Sequence, residues 1–498
     1  RSIKNITQFP NGSEDEKTVD EMLENEYGKY VQIWESLLQK LKCPIIQNNF
    51  EALPYRLLGN ADFYQVNGNI NYVNKLNMKF AEAALHYNNL FINDLNYEAS
   101  FFGLNRWFDQ NNWYLYKYPF SLEAIPLVAF NISNIIKSLF GKNKKLLILD
   151  LDNTLWGGVI GEVGAENIKI GIETAEGMAY TDFQNYIKAL SQNGIMLSVC
   201  SKNDFSIAKE GFSNPACILS LDDFLSFKAN WKNKDENIKE IIKEINIMPD
   251  SAVFIDDNPS ERALIKQTLP EVSVLDIDSP SEYVDFLDKQ GFFETTLISQ
   301  DDKKRNEYYK ANIKRENLKS SYTDYQEYLK SLSMKLSIND IKPDNIERVV
   351  QLINKTNQFN LTTYRYTYDD VLTYIKDNTI NIVGKLSDKF GENGIITCMM
   401  ASIKNDMAYI DLWIMSCRVF KRDLEKAIFD VLVSKCKEKN IKVIRGFYFK
   451  TKKNAFVEHL YEDLGFEVIE QDNEHGIYEY TIENDYKNLN TVMEVSYE

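Results

Sequence analysis

A short block of the chain constrains its fold more than any other: four apolar residues at positions 146–149 lead directly into Asp150-Leu151-Asp152. An apolar run of this length, ended by charge and turn residues, is typical of a strand buried in a parallel sheet. We predict a strand at 146–151. Because side chains alternate along a strand, Asp150 and Asp152 point to the same side of its carboxyl end, where open α/β sheets bind ligands.

The same rhythm continues through the middle of the chain. Apolar strands alternate with amphipathic helices, which indicates a doubly wound parallel sheet. The predicted elements after the first strand are a helix at 178–191, a strand at 195–200, a helix at 237–244, a strand at 252–255, a helix at 260–268 and a strand at 272–275.

The length of 498 residues predicts two to four domains. We divide the chain into three α/β domains at 1–140, 141–299 and 300–498. The first begins with an amphipathic helix at 19–41 and a strand at 43–49. The third begins with a charged helical linker at 300–319 and continues as a meander of strands with further helices.

Composition excludes several classes of function. A net charge of −16 disfavours a general nucleic-acid or anionic-membrane binder. The six cysteines form no Cys-x-x-Cys pair, which predicts free thiols in a reducing, cytoplasmic compartment. We found no apolar run of the roughly 18 residues that a membrane span needs. Since the chain opens on Arg1, we expect it to be part of something longer.

Polar residues suited to phosphoryl transfer follow the ends of the predicted strands. Two carboxylates that face one cavity repel each other unless a cation bridges them, so the pattern predicts Mg²⁺. Asp150 can attack phosphorus while Asp152 donates a proton to the leaving oxygen. The predicted metal ligands are Asp150, Asp152, Asp256 and Asp257, and the predicted substrate-binding residues here are Thr154, Ser201, Lys202 and Lys234.

The order of these residues closely resembles the four-motif pattern of haloacid dehalogenase-type phosphotransferases. The resemblance implies an aspartyl-phosphate on Asp150, with Asp152 acting first as acid and then as base for the hydrolytic water. A lone Asp-x-Asp could merely cap a turn, but four elements in this order disfavour that reading. The short segments between them leave no room for a cap domain, so we expect an open site or one covered by neighbouring domains.

Longer blocks, at 149–162, 200–204, 254–262, 355–362 and 415–419, look like the FkbH-like family over nearly the whole chain. Members of that family act in polyketide assembly. The resemblance implies that the protein takes 1,3-bisphosphoglycerate, removes both phosphates and leaves a D-glyceryl thioester on the phosphopantetheine of an acyl carrier protein. It also implies a degenerate SGNH-hydrolase-like first domain, which lacks a Gly-Asp-Ser element and for which we predict a structural role.

Capture of an acyl phosphate requires a cysteine nucleophile, and two candidates are Cys417 and Cys200. Judged from residues 454–456 and 461–466, the third domain resembles an acetyltransferase (GNAT) fold, in which the thioester carbonyl lies at the strand before the cofactor-binding helix. This favours Cys417, with Arg418 able to lower its pKa. Strand alternation directs Cys200 away from Ser201 and into the core. Either cysteine could instead be a buried apolar residue.

Carrier-bound pantetheine suits the third domain better than coenzyme A, because residues 418–423 contain no glycine to wrap a pyrophosphate. A basic run could dock an acidic carrier protein, or it could be an ordinary solvated face. Asn357, Gln358 and Asn360 could bind glyceryl hydroxyls or cap turns. The basic run comprises Lys435, Lys437, Lys439, Lys442, Arg445, Lys450, Lys452 and Lys453.

Three functions therefore remain open from the sequence. The first is a glyceryltransferase and phosphatase that charges a carrier protein. The second is a Mg²⁺-dependent phosphatase acting on a small phosphorylated metabolite or a phosphoprotein. The third is a non-catalytic carrier-docking module, which the complete set of phosphatase residues disfavours.

Overall fold

The chain folds into two units in the computed structural model of the protein, which describes residues 2–41, 43–296, 298–376 and 378–497. One unit comprises Arg1–Leu139 together with Arg365–Lys376. The other comprises Phe140–Tyr364 and Asp377–Glu498. The first break lies close to the boundary predicted at residue 140. The domains predicted at 141–299 and 300–498 belong to the same unit.

The first unit packs helices around a two-stranded parallel sheet. Apolar side chains recur at helical spacing in its first long helix, and Tyr30 and Trp34 are almost fully buried against Phe80 of the second. The packing of this core does not test the predicted SGNH-hydrolase-like fold of the first domain, which stays a prediction. The elements are α1 (Glu16–Leu41), β1 (Ile45–Asn48), α2 (Asn69–His86), β2 (Leu90–Asn93), α3 (Leu95–Phe102), α4 (Leu104–Trp107), α5 (Gln110–Tyr116) and α6 (Ile125–Leu139).

One stretch of the first unit, Leu122–Leu139, passes by length and composition the test for a membrane-spanning helix, with a mean hydropathy of 1.2. The sequence contains no continuous apolar run here, because polar residues such as Asn131, Asn134 and Lys137 interrupt the apolar ones. The stretch is a weak indication, since core helices of soluble proteins pass the same test.

The second unit begins with a five-stranded sheet in the order β5-β4-β3-β6-β7, in which every neighbouring pair is parallel. The central strand is fully buried, as its apolar sequence predicts. Hydrophobic clusters cover both faces of the sheet, which confirms the parallel α/β class. The elements are β3 (Leu146–Leu149), α7 (Ile160–Val163), α8 (Ala175–Gln192), β4 (Met196–Ser201), α9 (Phe205–Glu210), β5 (Phe224–Ala229), α10 (Lys234–Ile245), β6 (Ala252–Ile255), α11 (Pro259–Thr268), β7 (Ser273–Val274) and α12 (Tyr283–Lys289).

The rest of the second unit is a mixed sheet of nine strands in the order β14-β15-β13-β12-β11-β10-β8-β16, with β9 beside β12. The elements are α13 (Gln300–Lys303), α14 (Arg305–Lys319), α15 (Tyr325–Ser331), β8 (Met334–Asn339), α16 (Ile346–Lys355), β9 (Phe359–Asn360), β10 (Thr379–Asp388), β11 (Gly391–Lys404), β12 (Met407–Met415), α18 (Leu424–Glu438), β13 (Val443–Phe449), α19 (Leu460–Asp463), β14 (Glu467–Gln471), β15 (His475–Thr481) and β16 (Met493–Tyr497); α17 (Tyr368–Tyr374) belongs to the first unit.

Strands β12 and β13 pair only at their start, where Met407–Ile410 lies parallel to residues 443–446. Beyond that point a short segment bridges them: the Leu361 amide donates to the Trp413 carbonyl, and the Leu361 carbonyl accepts from the Phe449 amide. The gap between the diverging strands is therefore occupied by the chain itself.

The linker helices hold the two sheets of the second unit together. Tyr309 of α14 packs in the core cluster that contains Leu146 of β3. Arg315 of the same helix donates two hydrogen bonds of 2.7 Å to the Asp388 carboxylate at the end of β10, and both side chains are buried. Removing one partner of such a buried pair typically costs about 3–5 kcal/mol, so this contact fixes α14 on the second sheet.

Candidate active site

The carboxyl ends of the parallel strands bring four predicted residues to one edge of the sheet. Asp150 follows β3, Ser201 ends β4, Asp256 follows β6, and Lys234 begins the helix after β5. All four are at most 6% exposed. The strand order changes direction beside β3, and ligands bind at such switch points because the loops on either side diverge there.

Three carboxylates form the centre of this site. One oxygen each from Asp150, Asp256 and Asp257 lies within 4.8 Å of the others. Lys234 Nζ lies 3.1 Å from Asp150 Oδ1 and 2.5 Å from Asp256 Oδ2. Burial opposes the charge on Lys234, but the neighbouring Asp150 and Asp256 outweigh it and raise the lysine pKa. The lysine is therefore a fixed positive charge beside the carboxylates.

The three carboxylates fit a hard divalent cation. Burial, and after it the charge of Asp150, raise the pKa of both Asp256 and Asp257, because one lysine does not balance three acids. Asp150 Oδ1 is buried, and among the described residues its contact is the ion pair with Lys234, which leaves capacity for a further ligand. Mg²⁺ prefers carboxylate oxygens and would satisfy that atom, so Asp150, Asp256 and Asp257 are the residues that could hold it.

Asp152 does not join this group among the described residues, which corrects its predicted role as a side-chain metal ligand. Its Oδ1 accepts hydrogen bonds from Trp156 Nε1 (3.0 Å) and the Ile160 amide (3.1 Å), and its Oδ2 accepts from Asn203 Nδ2 (3.1 Å). Burial raises the Asp152 pKa, and the charge of Asp150 adds to this. A carboxyl group so placed is suited to donate a proton.

Hydrogen bonds from residues that the sequence patterns did not indicate fix the loop after β3. Asn153 has a left-handed backbone (φ 54°), which asparagine tolerates better than most residues. Its side-chain oxygen accepts from the Gly158 amide, and its carbonyl accepts from the hydroxyls of Tyr180 and Tyr283. The Asn-Thr and Gly-Gly steps signalled a turn, but the two tyrosines lie too far along the sequence to be predicted.

Two predicted substrate-binding residues have structural partners. Thr154 is fully buried, and its hydroxyl accepts a hydrogen bond from the Asp257 amide at 3.2 Å. Lys202 lies 2.6 Å from Glu261 of α11. Both side chains therefore hold the neighbouring acidic loop and helix in place. Ser201 is 2% exposed.

Cys417 lies in a second site of the same unit. It begins a short 3-10 helix directly after Ser416, just beyond the end of β12. The thiol lines a cavity of about 380 Å³. The walls also include Lys145, which precedes β3, and Ser251, which precedes β6. The cavity is therefore at the amino edge of the parallel sheet, whereas the carboxylates lie at the carboxyl edge.

This cavity is rich in positive charge. Among the residues that the structure describes, seven basic and three acidic side chains line it. Burial lowers the pKa of Lys145, and the nearby Cys417 opposes that shift. Burial also lowers the pKa of Lys355 to about 8, although Asp302 opposes it. Burial makes the positive charge of these side chains less favourable, and a bound anion would offset that cost. The cavity therefore favours an anionic ligand. The basic side chains are Lys142, Lys145, Arg305, Arg348, Lys355, Arg418 and Lys453.

Comparison with known proteins identifies the family. A family model described as FkbH, N-terminal domain, matches residues 8–137. The N-terminal part of the protein BF1531 from Bacteroides fragilis, solved as containing a phosphatase domain complexed with Mg, is 35% identical with a TM-score of 0.53. The match covers 56% of this chain and 74% of that one. The chain belongs to the FkbH-like family. Its five-stranded sheet is a haloacid dehalogenase-type phosphatase domain, and the protein is an enzyme with that chemistry.

Acetyltransferase structures also match this FkbH-like protein, at low sequence identity. The ribosomal-protein-S18-alanine N-acetyltransferase from Escherichia coli matches at 12% identity and a TM-score of 0.25, covering 31% of this chain and 99% of that one. PaiA N-acetyltransferase from Thermoplasma acidophilum, in complex with coenzyme A, matches at 14% identity and a TM-score of 0.24, covering 29% and 98%. No curated protein matches the chain.

Cys200, the other cysteine candidate of the FkbH-like chain, lies in the hydrophobic core. Cys200 is fully buried in the cluster beneath the sheet, and its Sγ lies 3.6 Å from the Lys234 carbonyl. Burial strongly raises its pKa. This burial follows the predicted alternation along β4, away from Ser201, and it favours the interpretation of Cys200 as a buried apolar residue.

The remaining predicted residues divide between the two sites and the core. Asn357 and Gln358 line the Cys417 cavity. Asn360 is 1% exposed and accepts from the Thr363 amide at 2.8 Å, so it holds a turn. Arg418 also lines the cavity, but its guanidinium lies over the Tyr308 ring at 4.6 Å, and its Nε donates to the Ser416 hydroxyl.

Several residues of the predicted basic run pair with carboxylates. Lys435 lies 2.7 Å from Asp340, and Lys450 lies 2.8 Å from Glu458. Arg445 pairs with Glu479. These contacts favour the solvated-face interpretation of that run over carrier docking, because the charges are already balanced.

Proposed function

We propose that the protein transfers a D-glyceryl unit from 1,3-bisphosphoglycerate to the thiol of an acyl carrier protein, with removal of both phosphates, in polyketide-type biosynthesis. The observation that carries the proposal is the presence of a cysteine in a cationic cavity, separate from a phosphatase-type carboxylate site. An acyl phosphate is captured by a thiol, whereas a phosphate ester is hydrolysed at a carboxylate site. The Cys417 cavity supplies the thiol, and Asp150 and its neighbours supply the carboxylates.

The phosphate ester is the substrate of the carboxylate site. Asp150 attacks the phosphorus, and the bond between phosphorus and the substrate's C3 oxygen breaks. Asp152 donates its proton to that oxygen and then removes a proton from the water that hydrolyses the aspartyl-phosphate. Lys234 stabilises the negative charge on the transferred group, because two carboxylates hold it positive and in place.

Magnesium is the cofactor of this half of the reaction. Asp150, Asp256 and Asp257 are the residues that would hold it. The ion supplies charge neutralisation, which allows an anionic carboxylate to approach an anionic phosphate. The related BF1531 structure, which contains a phosphatase domain with Mg, supports this assignment.

The acyl phosphate is the substrate of the Cys417 cavity. The Cys417 sulfur attacks the substrate's C1 carbonyl, the bond to the C1 phosphate oxygen breaks, and inorganic phosphate leaves with the thiol proton. Lys145 and Lys355 are placed to bind phosphate groups during this step. Asn357 and Gln358 line the same cavity and provide polar groups for the glyceryl hydroxyls.

A carrier protein is favoured over free coenzyme A as the acyl acceptor. The turn after Cys417 contains no glycine, and Lys421 and Asp423 hold left-handed backbone (φ 61° and 55°). Side chains at these positions prevent the close backbone wrapping that binds a pyrophosphate. A pantetheine arm on a carrier lacks that pyrophosphate and needs no such loop.

The test is intact-mass analysis of an acyl carrier protein incubated with 1,3-bisphosphoglycerate, Mg²⁺ and the enzyme. We expect a glyceryl-sized adduct on the carrier. Cys417→Ala should abolish it, whereas Cys43→Ala, which changes an exposed cysteine in the other unit, should retain it. Release of phosphate without an adduct would overturn the transferase half and leave a simple phosphatase.

A further inference from the structure

Lys145 differs from the other basic side chains of the Cys417 cavity in its partners. Lys142 is exposed. Lys145 is half-buried, and within the part of the chain that the structure describes no carboxylate oxygen lies within 4.0 Å of its Nζ. The remaining cations are held by acids of the same cavity, in the ion pairs Arg305–Asp302, Arg348–Asp301, Lys355–Asp302, Arg418–Asp301 and Lys453–Asp250.

The backbone fixes Lys145 at the edge of the parallel sheet. Its amide donates to the Ser251 carbonyl at 2.8 Å, and its carbonyl accepts from the Met196 amide at 2.9 Å. On the other side of the cavity, the Ser416 amide donates to a carbonyl of β11 at 2.7 Å, which holds the residue before Cys417. The lysine and the thiol therefore line the same cavity from two fixed points of the backbone.

The Lys145 amine and the Cys417 sulfur are close enough to influence each other. Burial lowers the pKa of Lys145, and among neighbouring groups the charge of Cys417 opposes that shift most strongly. The Tyr309 side chain forms a hydrogen bond with the same sulfur. Burial raises the Tyr309 pKa, and the charge of Cys417 adds to this, so the hydroxyl stays protonated and acts as the donor.

The other titratable groups of the cavity are poorly suited to take the thiol proton. Burial opposes the charge of Asp302, but the nearby cations outweigh it and lower its pKa. At Asp250, the hydrogen bond from Lys453 likewise outweighs burial and lowers the pKa. Burial lowers the Lys355 pKa to about 8, but Asp302 lies 3.4 Å from this amine and favours its charged form. The arginines stay protonated. Lys145 is the amine that burial favours as neutral beside the thiol.

We propose that Lys145 is the catalytic proton acceptor for the Cys417 thiol, an inference that deepens the proposed function and rests on it for the identity of the acyl phosphate. The Lys145 amine takes the thiol proton as the sulfur bonds to the C1 carbonyl. The bond to the C1 phosphate oxygen breaks, and the Lys145 ammonium gives its proton to the leaving phosphate.

The same amine serves the second half of the transfer. Lys145 takes the proton of the pantetheine thiol, and the pantetheine sulfur bonds to the carbonyl on Cys417. The bond between that carbonyl and Cys417 breaks, and the Cys417 sulfur receives the proton from the Lys145 ammonium. Lys145 is neutral again at the end, and the two half-reactions need no further reactant.

Alkylation of Cys417 by iodoacetamide tests this role without any substrate. The rate is measured at neutral pH by intact mass, with peptide mapping to identify Cys417. Lys145→Met should slow alkylation by about tenfold or more, because the group that favours the thiolate is gone. Lys144→Met is the matched control and should react at the wild-type rate, since the Lys144 Nζ donates to the Asp250 carbonyl at 2.7 Å. Alkylation of Lys145→Met at the wild-type rate would overturn the proposal.

Lys145→Arg separates proton transfer from positive charge. Arginine keeps the charge but does not exchange its proton near neutral pH. We expect Cys417 of this variant to remain reactive towards iodoacetamide, while its acylation by 1,3-bisphosphoglycerate falls by about 10²–10⁴-fold. Acylation of Lys145→Arg at the wild-type rate would overturn the proposal, because charge alone would then suffice.

The two measurements also distinguish this proposal from the proposed function. Wild-type enzyme whose Cys417 is alkylated but gains no adduct from 1,3-bisphosphoglycerate would overturn the proposed function. Faster alkylation of wild type than of Lys145→Met would still support Lys145 as the group that activates the thiol, and equal rates would still overturn it.

Discussion

At the scale of single residues, the phosphatase site shows how environment divides the work between two similar acids. Asp150 has a buried oxygen that is paired with Lys234 and lies beside two further carboxylates. Asp152, two residues away, accepts hydrogen bonds from three donors: Trp156, the Ile160 amide and Asn203. The first is suited to a cation and to attack, the second to holding a proton.

Replacing Asp152 by asparagine tests that division. Asparagine keeps an oxygen for Trp156 and the Ile160 amide but has no acidic proton. We expect phosphate release to fall by about 10²–10⁴-fold, the usual contribution of a general acid. Acylation of Cys417, measured by intact mass, should persist. A variant that releases phosphate at the wild-type rate would contradict the acid role.

A buried glutamate in the first unit predicts a dependence of stability on pH. Glu51 is fully buried, its Oε2 accepts from the Ile3 amide, and burial raises its pKa from 4.5 to about 7. Because the folded pKa is the higher one, the folded state favours the protonated acid. This residue therefore makes the protein progressively less stable as pH rises from 4.5 to 7, with no further change above 7.

The substitution Glu51→Gln should remove that dependence. At pH 8 the variant should be more stable than wild type by up to about 3 kcal/mol, and at pH 4.5 the two should be alike. The measurement is the first calorimetric unfolding transition at both pH values. Glu82→Gln, at an exposed position of α2, provides the control and should show no such pH-dependent gain. An equal effect of Glu51→Gln at both pH values would argue against titration of Glu51.

At the scale of elements, a close backbone approach positions the linker helices against the phosphatase domain. Gly194 has φ +94°, and a Cβ there would lie 2.0 Å from the Asp302 carbonyl oxygen. Arg305 Nη1 donates to the Gly194 carbonyl at 3.0 Å. Asp302 and Arg305 line the Cys417 cavity, so the glycine sets the position of one cavity wall.

The variant Gly194→Ala should move that wall. The left-handed backbone and the clash should together cost at least about 1–3 kcal/mol. We expect slower acylation of Cys417, with hydrolysis of a small phosphate ester less affected because the carboxylates lie at the opposite edge of the sheet. Gly28→Ala in α1 is the control, since an added Cβ there meets no atom within 4 Å. Equal loss of both activities would contradict this local effect.

At the scale of the whole molecule, the separation of the two sites predicts separable metal dependence. The carboxylates that could hold Mg²⁺ lie at the carboxyl edge of the parallel sheet, and Cys417 lies at the amino edge. Removing divalent ions with a chelator should abolish phosphate-ester hydrolysis and leave Cys417 acylation intact. Excess Mg²⁺ should restore hydrolysis. Loss of the acyl adduct on chelation, measured by intact mass, would mean that the two sites are coupled.

Much of this architecture was predictable because it depends on local patterns. The strand Ala252–Ile255 has the bounds predicted from its apolar run. The strands Glu467–Gln471 and Met493–Tyr497 were missed. Both lie at the ends of the nine-stranded sheet, and the first is exposed along its whole length, so neither carries the apolar signal of a buried strand.

The phosphatase motifs and the family could be predicted from local patterns, because the acids follow strands of a parallel sheet and parallel strands end at one edge. The sequence also placed Cys417 and Arg418 near a strand end. Only the tertiary structure decided that Asp152 bonds its own loop, that Cys200 is in the core, and that Cys417 faces Lys145 across a cationic cavity. Lys145 and Cys417 lie on different sheets of one unit, and no pattern along the chain reports a contact between residues so far apart.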